Sequence, residues 1–376
     1  MICSGYRPIL DAMRTFASDA PGKGDIEDLG KLAARPCSKH PCARDCKAPS
    51  ARDAHVVFQS GSYVWTRPLS LSEVFDDLST YSGQAIKLVF GNTSTGIFKN
   101  DPTTVFIDMS NVSDLQTVSV TSSSVTVGAA ISIANLINIL ETNASMSSSY
   151  SVLVEHLSIV ANVAVRNAGC WAGNLMLTHD NPDFPSDIFT IMAAANATLT
   201  IASSGGSQVY DLFSFLQLDM TGCVIVSISI PVVSAGQKLQ TFKIMPRHIN
   251  SHAYVNAGFL MAVDGNMNGM LSNDISLHFS YFDDHWIVIG TPRFVYGGIG
   301  PYAVLATQTA QSFVGQNLNN ISTLSNAMIA LQSELVPDQP PAAASPAYRL
   351  SLACSLLYKF YLSFLPNANP RVQSGM

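Results

Sequence analysis

Apolar residues between positions 59 and 236 follow two patterns, short continuous runs and stretches with a repeat of three to four residues. The runs predict buried strands, and the longer repeat predicts amphipathic helices. Ser70, followed three residues later by Glu73, predicts the start of a helix with a capping box. The other predicted strands are Ile86–Phe90, Thr104–Asp108, Val125–Val127, Thr198–Ile201 and Val224–Ile230, and the other helices are Ile131–Leu140, Val152–Val160 and Ile188–Ala195.

The pattern changes from Gln240 onward to closely spaced strands followed by helices. An antiparallel sheet is expected there, and we place a domain boundary near residues 231–237. Two α+β domains are therefore predicted, at 59–236 and 237–376. Strands are predicted at Gln240–Met245, Tyr254–Val263, Ile275–Phe282, Ile287–Ile289 and Arg293–Tyr296, and helices at 321–335 and 346–364.

The first 58 residues divide into a short helix, Pro8–Ala17, and a segment without periodicity. We interpret residues 21–58 as a linker, because Pro, Gly and charged residues are scattered through it. Four potential metal ligands lie within it, but their spacing fits no zinc pattern. We therefore predict no metal site among Cys37, His40, Cys42 and Cys46.

Composition excludes several classes of function. The chain has 376 residues, a net charge of −6 and no long basic stripe, so nucleic acid is not an expected partner. Charged residues make up 12% of the chain, about half of the usual fraction. There is no recognisable signal peptide or membrane span, and seven unevenly spaced cysteines imply no disulfide framework. We expect a cytoplasmic protein.

Two segments have the chemistry to hold an anion such as a pyrophosphate. The first is Lys87–Ile97, in which an apolar strand leads into Gly91, Asn92 and Thr93. A glycine lets the backbone approach a ligand closely, and successive N–H groups form a concave anion site. The second is Ala172-Gly173-Asn174. The simpler alternatives are an ordinary turn after a strand and an ordinary loop with a buried asparagine.

These segments, taken with others in the same order, resemble the flavin-binding region of the xanthine dehydrogenase and aldehyde oxidase family. The sequence of Asp183–Asp187 is more similar to that of animal aldehyde oxidases than to that of xanthine dehydrogenases. The resemblance implies a two-part FAD-binding domain of the PCMH or vanillyl-alcohol oxidase type, followed by a small CO-dehydrogenase-flavoprotein-type domain. The other matching segments are Cys3–Leu10, Val165–Asn167, Pro185–Asp187, Gly297–Pro301 and Tyr348–Ala353.

The resemblance also implies which residues contact FAD. Asp187 matches the acid that binds ribose, with helix capping as a compatible alternative. Lys243 matches a lysine near the flavin ring, with a solvated surface lysine as the alternative. No catalytic or metal-binding residue is assigned. The complete predicted set is Lys87, Leu88, Val89, Phe90, Gly91, Asn92, Thr93, Ser94, Thr95, Val160, Cys170, Gly173, Asn174, Asp187, Ile225 and Lys243.

Three positions depart from the family pattern. Ala172 replaces a glycine, Cys170 replaces a serine or threonine, and Val160 stands where relatives can place an aromatic ring near the adenine. A thiol is a weaker hydrogen-bonding group than a hydroxyl. The departures favour a second hypothesis, a scaffold without flavin that has a binding or structural role.

Our leading hypothesis is a flavin electron-transfer module. The chain starts at the family's last iron–sulfur cysteine, with residues 1–20 as a remnant of that domain, and stops before the molybdenum domain. In the family, electrons pass from molybdenum through iron–sulfur clusters to FAD and then to O2 or NAD. A third hypothesis is a stand-alone flavin oxidase for a small alcohol, with His248 and His252 as its candidate bases.

Overall fold

The computed structural model describes residues 54–98, 101–234, 236–264, 286–339 and 344–365. Several predictions fall outside these ranges. They are the helix Pro8–Ala17, nearly all of the linker 21–58, the cluster around Cys42, and the strand Ile275–Phe282. Among the residues described, no helix is long and apolar enough to cross a membrane.

The first sheet contains four strands in the order β1-β2-β4-β3. Strands β2, β4 and β3 are parallel, and β1 pairs antiparallel with β2. The predicted cap is confirmed, since Ser70 Oγ accepts from the N–H of Glu73 at 3.3 Å. The elements are β1 (Val56–Ser60), β2 (Tyr63–Arg67), α1 (Leu71–Thr80), β3 (Ile86–Val89) and β4 (Val105–Asp108).

The second sheet is antiparallel, with the order β5-β6-β9-β7-β8. Helices inserted between its strands cover it, and their apolar faces share one core with the first sheet. The strands are β5 (Val118–Val120), β6 (Ser124–Gly128), β7 (Thr198–Ser203), β8 (Gly206–Asp211) and β9 (Val224–Pro231). The helices are α2 (Ile133–Thr142), α3 (Ser148–Ser158), α4 (Val163–Ala168), α5 (Trp171–Asp180), α6 (Asp187–Ala194) and α7 (Leu212–Phe215).

The third sheet, β10-β11-β12-β13, is antiparallel and has its own aromatic core around Phe259 and Phe294. The predicted strands Ile287–Ile289 and Arg293–Tyr296 are one continuous strand, so their separation was wrong. Pairing with β11 continues through a bulge near Leu260. The elements are β10 (Gln237–Ile244), β11 (Val255–Asp264), β12 (Ile287–Gly297), β13 (Val304–Leu305), α8 (Thr307–Phe313), α9 (Ile321–Glu334) and α10 (Pro346–Leu362).

Helix α6 joins the two parts of the structure, because β11 of the third sheet lies directly against it. All eight of its residues are buried. A Cβ at Gly258 of β11 would lie only 2.5 Å from the Cβ of Ala194. Glycine is therefore needed for this close contact, which places the third sheet against the last turn of α6.

Candidate functional site

The turn after β3 has the backbone conformation that its glycine suggested. Gly91 and Asn92 both have positive φ, +65° and +48°, a conformation that residues with a Cβ other than Asn and Asp seldom adopt. A Cβ at Gly91 would overlap the carbonyl oxygen of Ala168 at the end of α4. The first predicted segment thus packs directly against the chain that leads into the second.

Further contacts join the two segments. A Cβ at Gly169 would lie 3.0 Å from Thr93 Oγ1, so the threonine side chain reaches the residues just before the second segment. Within the described part of the chain, Asn92 Oδ1 is buried without a hydrogen-bond partner. A buried amide oxygen normally has a donor. This turn therefore has an acceptor that a bound molecule could satisfy.

Lys87 lies in β3, the strand that leads into this turn, and its ammonium forms an ion pair outside the turn. The Nζ atom lies 2.6 Å from Asp101 Oδ2. Hydrogen bonds from Lys87 and Thr103 lower the pKa of Asp101 to about 2. The lysine charge is therefore already paired in this structure.

Residues 172–174 lie in the first turn of α5, so the alternative of an ordinary loop with a buried asparagine was wrong. Cys170 is the N-cap, and its Sγ accepts from the N–H of Gly173 at 3.2 Å. Burial raises the pKa of the Cys170 thiol to about 11. The start of a ten-residue helix carries free N–H groups and a partial positive charge, both of which favour an anion.

Asn174 connects α5 to α6. Its Oδ1 accepts from Ser186 Oγ at 2.6 Å. Ser186 is the N-cap of α6, since its Oγ also accepts from the N–H of Phe189 at 3.0 Å. Asp187 is thus the first residue of the helix, and its carboxylate is available for other contacts.

Asp187 is held by residues of the third sheet. Its Oδ2 lies 2.7 Å from Lys243 Nζ, and its Oδ1 accepts from Asn256 Nδ2 at 2.8 Å. Lys243 also donates to the carbonyl of Ile159 at 3.1 Å. The lysine side chain is 1% exposed, so the alternative of a solvated surface lysine was wrong.

His156 completes the surroundings of Asp187. Its Nε2 lies 3.6 Å from Asp187 Oδ1, an ion-pair distance that leaves this nitrogen without a hydrogen bond among the residues described. Burial acts to raise the pKa of Asp187, but His156, Lys243 and Asn256 outweigh burial and hold that pKa below 3.8. The carboxylate is therefore ionised at neutral pH.

The predicted apolar contacts lie in the core, whereas Thr95 is exposed in the turn after β3. Val160 and Ile225 are buried, and the carbonyl of Val160 accepts from Arg166 at 2.8 Å. His248 and His252 are exposed. In the described ranges, no group of three or more His, Cys, Asp or Glu residues could hold a metal.

Sequence reasoning missed His156, Thr190 and Asn256. The available signal was Asn256 itself, a polar residue within the otherwise apolar strand β11. It is completely buried, and a buried amide requires partners. Nothing in the sequence identified Asp187 as that partner.

Comparison with known families identifies the two domains. Residues 57–233 match the FAD binding domain in molybdopterin dehydrogenase, and residues 240–364 match the CO dehydrogenase flavoprotein C-terminal domain. The chain therefore contains an FAD-binding domain of the kind found in molybdopterin dehydrogenase, followed by a CO dehydrogenase flavoprotein C-terminal domain. The predicted fold class and the cofactor, FAD, are confirmed.

Among curated proteins, the chain is similar to plant aldehyde oxidases. An indole-3-acetaldehyde oxidase of Arabidopsis thaliana is 30% identical over 408 residues, a match that covers 99% of this chain and 28% of that protein. An abscisic-aldehyde oxidase of the same plant is 28% identical, with the same coverage. The chain thus spans little more than a quarter of these relatives, which are oxidoreductases by name.

Solved structures share the fold. A carbon monoxide dehydrogenase chain from Hydrogenophaga pseudoflava has a TM-score of 0.63 at 16% identity, covering 80% of this chain and 96% of that chain. A chain of quinoline 2-oxidoreductase from Pseudomonas putida 86 has a TM-score of 0.63 at 23% identity, covering 81% and 97%. At these identities the likeness establishes the architecture alone.

Proposed function

We propose that FAD binds along the turn Lys87–Thr95, the start of α5 and the Asp187 cluster. We further propose that the chain transfers electrons within a larger molybdenum-hydroxylase-type oxidoreductase. The observation that carries the proposal is the packing of the Gly91 turn, with its positive φ angles, against the chain before α5. A pyrophosphate suits such a backbone cradle.

Each part of the site has a separate role in this proposal. The N–H groups of the Gly91 turn and of the start of α5 hold the pyrophosphate. Asp187 accepts from ribose hydroxyls, using lone pairs that Lys243 and Asn256 leave free. Val160 and Ile225 supply apolar surface. Bound FAD supplies the electron chemistry, and the protein supplies binding and orientation.

The proposed partners are the iron–sulfur and molybdenum domains of the larger enzyme, with O2 or NAD as the electron acceptor. We place the protein in the cytoplasm and propose no nucleic-acid partner. A chain of this kind would not hydroxylate a substrate alone.

The electron acceptor can be identified after photoreduction of the FAD-loaded protein. Either O2 or NAD+ is added, and the acceptor is the one that restores the absorbance of oxidised flavin faster.

The first experiment is the visible absorption spectrum of the purified chain after incubation with FAD and desalting. Retained flavin bands at a stoichiometry near one support the proposal. Asp187→Asn should retain less FAD, whereas Asp219→Asn, a change at an exposed carboxylate, should retain as much as the wild type. A folded protein that stays colourless would reject flavin binding and favour the scaffold hypothesis.

A further inference from the structure

We infer that Asn256 is a positioning residue for Asp187, and that the C-terminal domain thereby helps to build the flavin site. The inference deepens the proposed function and rests on it. Asn256 belongs to β11, while Asp187 begins α6 of the FAD-binding domain. The two side chains are therefore brought together only when both domains are folded against one another.

The direction of the Asn256 amide follows from its neighbours. An ionised carboxylate accepts hydrogen bonds and cannot donate them, so the end of the amide that faces Asp187 Oδ1 at 2.8 Å is Nδ2. The other end, Oδ1, then faces Thr190 Oγ1 at 3.1 Å and shares the single hydroxyl proton with the carbonyl of Ser186, which lies 3.0 Å from the same threonine oxygen. Thr190, one turn into α6, thus fixes the amide that in turn holds Asp187.

Lys243 and Asn256 act as a pair on the carboxylate. They are directly opposite one another on β10 and β11, and each contacts a different oxygen of Asp187. Two donors on separate oxygens restrict rotation of the carboxylate about its χ2 bond. The free lone pairs of Asp187 therefore keep one direction, which is what a hydroxyl ligand needs.

Gly297 supplies the space for this arrangement from the other side of β11. It is the β12 partner of Asn256. A Cβ there would overlap Asn256 Oδ1 and lie 2.8 Å from Thr190 Oγ1. The glycine of β12 therefore leaves room for the Thr190–Asn256–Asp187 chain.

Asn256→Asp tests the inference because it keeps the shape of the side chain and replaces the donor with an acid. When two carboxyl groups lie about 3 Å apart, each disfavours ionisation of the other, so the pair holds one proton at low pH and loses it only as the pH rises. The measurement is the dissociation constant for FAD, from quenching of flavin fluorescence between pH 5.5 and 8.5. We expect the variant to bind at least tenfold more weakly than the wild type at pH 8.5, and the ratio to approach one as the pH falls.

Comparison with the wild type at each pH isolates this effect. His156 from α3, Lys243 from β10 and the exposed His252 also act electrostatically on Asp187, and all three are present in both proteins. Asn138→Asp, at an exposed position of α2, should match the wild type throughout. A ratio for Asn256→Asp that does not change with pH would overturn the inference, even if the variant is less stable.

Two further measurements keep the test decisive. If Asn256→Asp does not fold, Thr190→Val releases the amide while retaining a similar volume, and an unchanged FAD dissociation constant would overturn the inference.

If wild-type protein binds no FAD, the proposed function fails, and thermal unfolding becomes the readout. The melting temperature of Asn256→Asp, relative to the wild type, should then rise as the pH falls, and a flat difference would reject the Asn256–Asp187 contact.

Discussion

The ammonium of Lys243 lies 2.7 Å from a carboxylate oxygen of Asp187, with both side chains almost entirely removed from water. The lysine comes from β10 of the C-terminal domain, and the aspartate begins α6 of the FAD-binding domain. Two residues that the family pattern assigns to different parts of the cofactor are thus one ion pair across a domain contact. A cofactor that reaches either residue therefore changes the electrostatic environment of both.

Removing one partner of this pair should cost more stability than removing both. Lys243→Met leaves the buried Asp187 charge without its cation, and we expect the free energy of unfolding to fall by about 3–5 kcal/mol. Lys243→Met combined with Asp187→Asn should be more stable than the sum of the single changes predicts, by about 2 kcal/mol. Urea unfolding of the four proteins measures this coupling, and strict additivity would contradict it.

The stability of the chain should depend on the ionisation of Asp187 in acid. Its pKa in the folded protein is below the ordinary value of 3.8, so the unfolded chain takes up a proton first. The stabilisation is fully present above that value and is lost as the pH falls through the lower folded pKa. The difference in unfolding free energy between wild type and Asp187→Asn should therefore shrink below pH 4. A difference that is constant from pH 6 to pH 2.5 would refute this.

Gly91→Ala should be more damaging than Gly83→Ala. Both glycines have positive φ, and an alanine in that conformation costs about 1–2 kcal/mol. Only at Gly91 would the new Cβ also overlap a backbone atom, the carbonyl oxygen of Ala168, whereas the space around Gly83 is open. We expect both variants to lose stability in thermal melts, but only Gly91→Ala to lose FAD binding by tenfold or more. Equal FAD affinity would show that the contact does not shape the site.

Cys170→Ser should stabilise helix α5 and increase the affinity for FAD. The thiol caps α5 through Gly173, and serine is a better capping residue, so we expect a gain of about 0.5–1 kcal/mol in unfolding free energy. FAD should bind severalfold more tightly, because a hydroxyl donates better than a thiol. Cys223→Ser, at a half-buried residue just before β9, is the control and should show neither gain. A loss of stability at residue 170 would mean that apolar packing of the sulfur dominates.

The elements that could be predicted from sequence are those with a strong local pattern. The predicted helix at 321–335 is found at Ile321–Glu334, and the strand Ile86–Phe90 at Ile86–Val89. Strand β1 was missed because four of its five residues are exposed and show no alternation. Helices α4 and α5 were missed because polar residues and glycines interrupt their apolar repeat.

The candidate site was predictable in part for the same reason. The Gly91 turn and Asp187 could be identified because each belongs to a compact segment of sequence. The contact of Asn256 with Asp187 joins residues 69 positions apart, and only the packing of β11 on α6 brings them together. Local patterns contain no information about such a pairing.

The close packing of Gly258 against Ala194 limits how the sequences of the two domains can diverge independently. Two domains separated by a hydrated linker can be exchanged between relatives as independent modules. Here β11 carries both Gly258 and Asn256, and the neighbouring strand β12 carries Gly297. A C-terminal domain taken from a relative would therefore need matching residues at these three positions. Recombination between relatives should therefore succeed when breakpoints keep α6 and β10–β12 from one parent, and fail when they separate them.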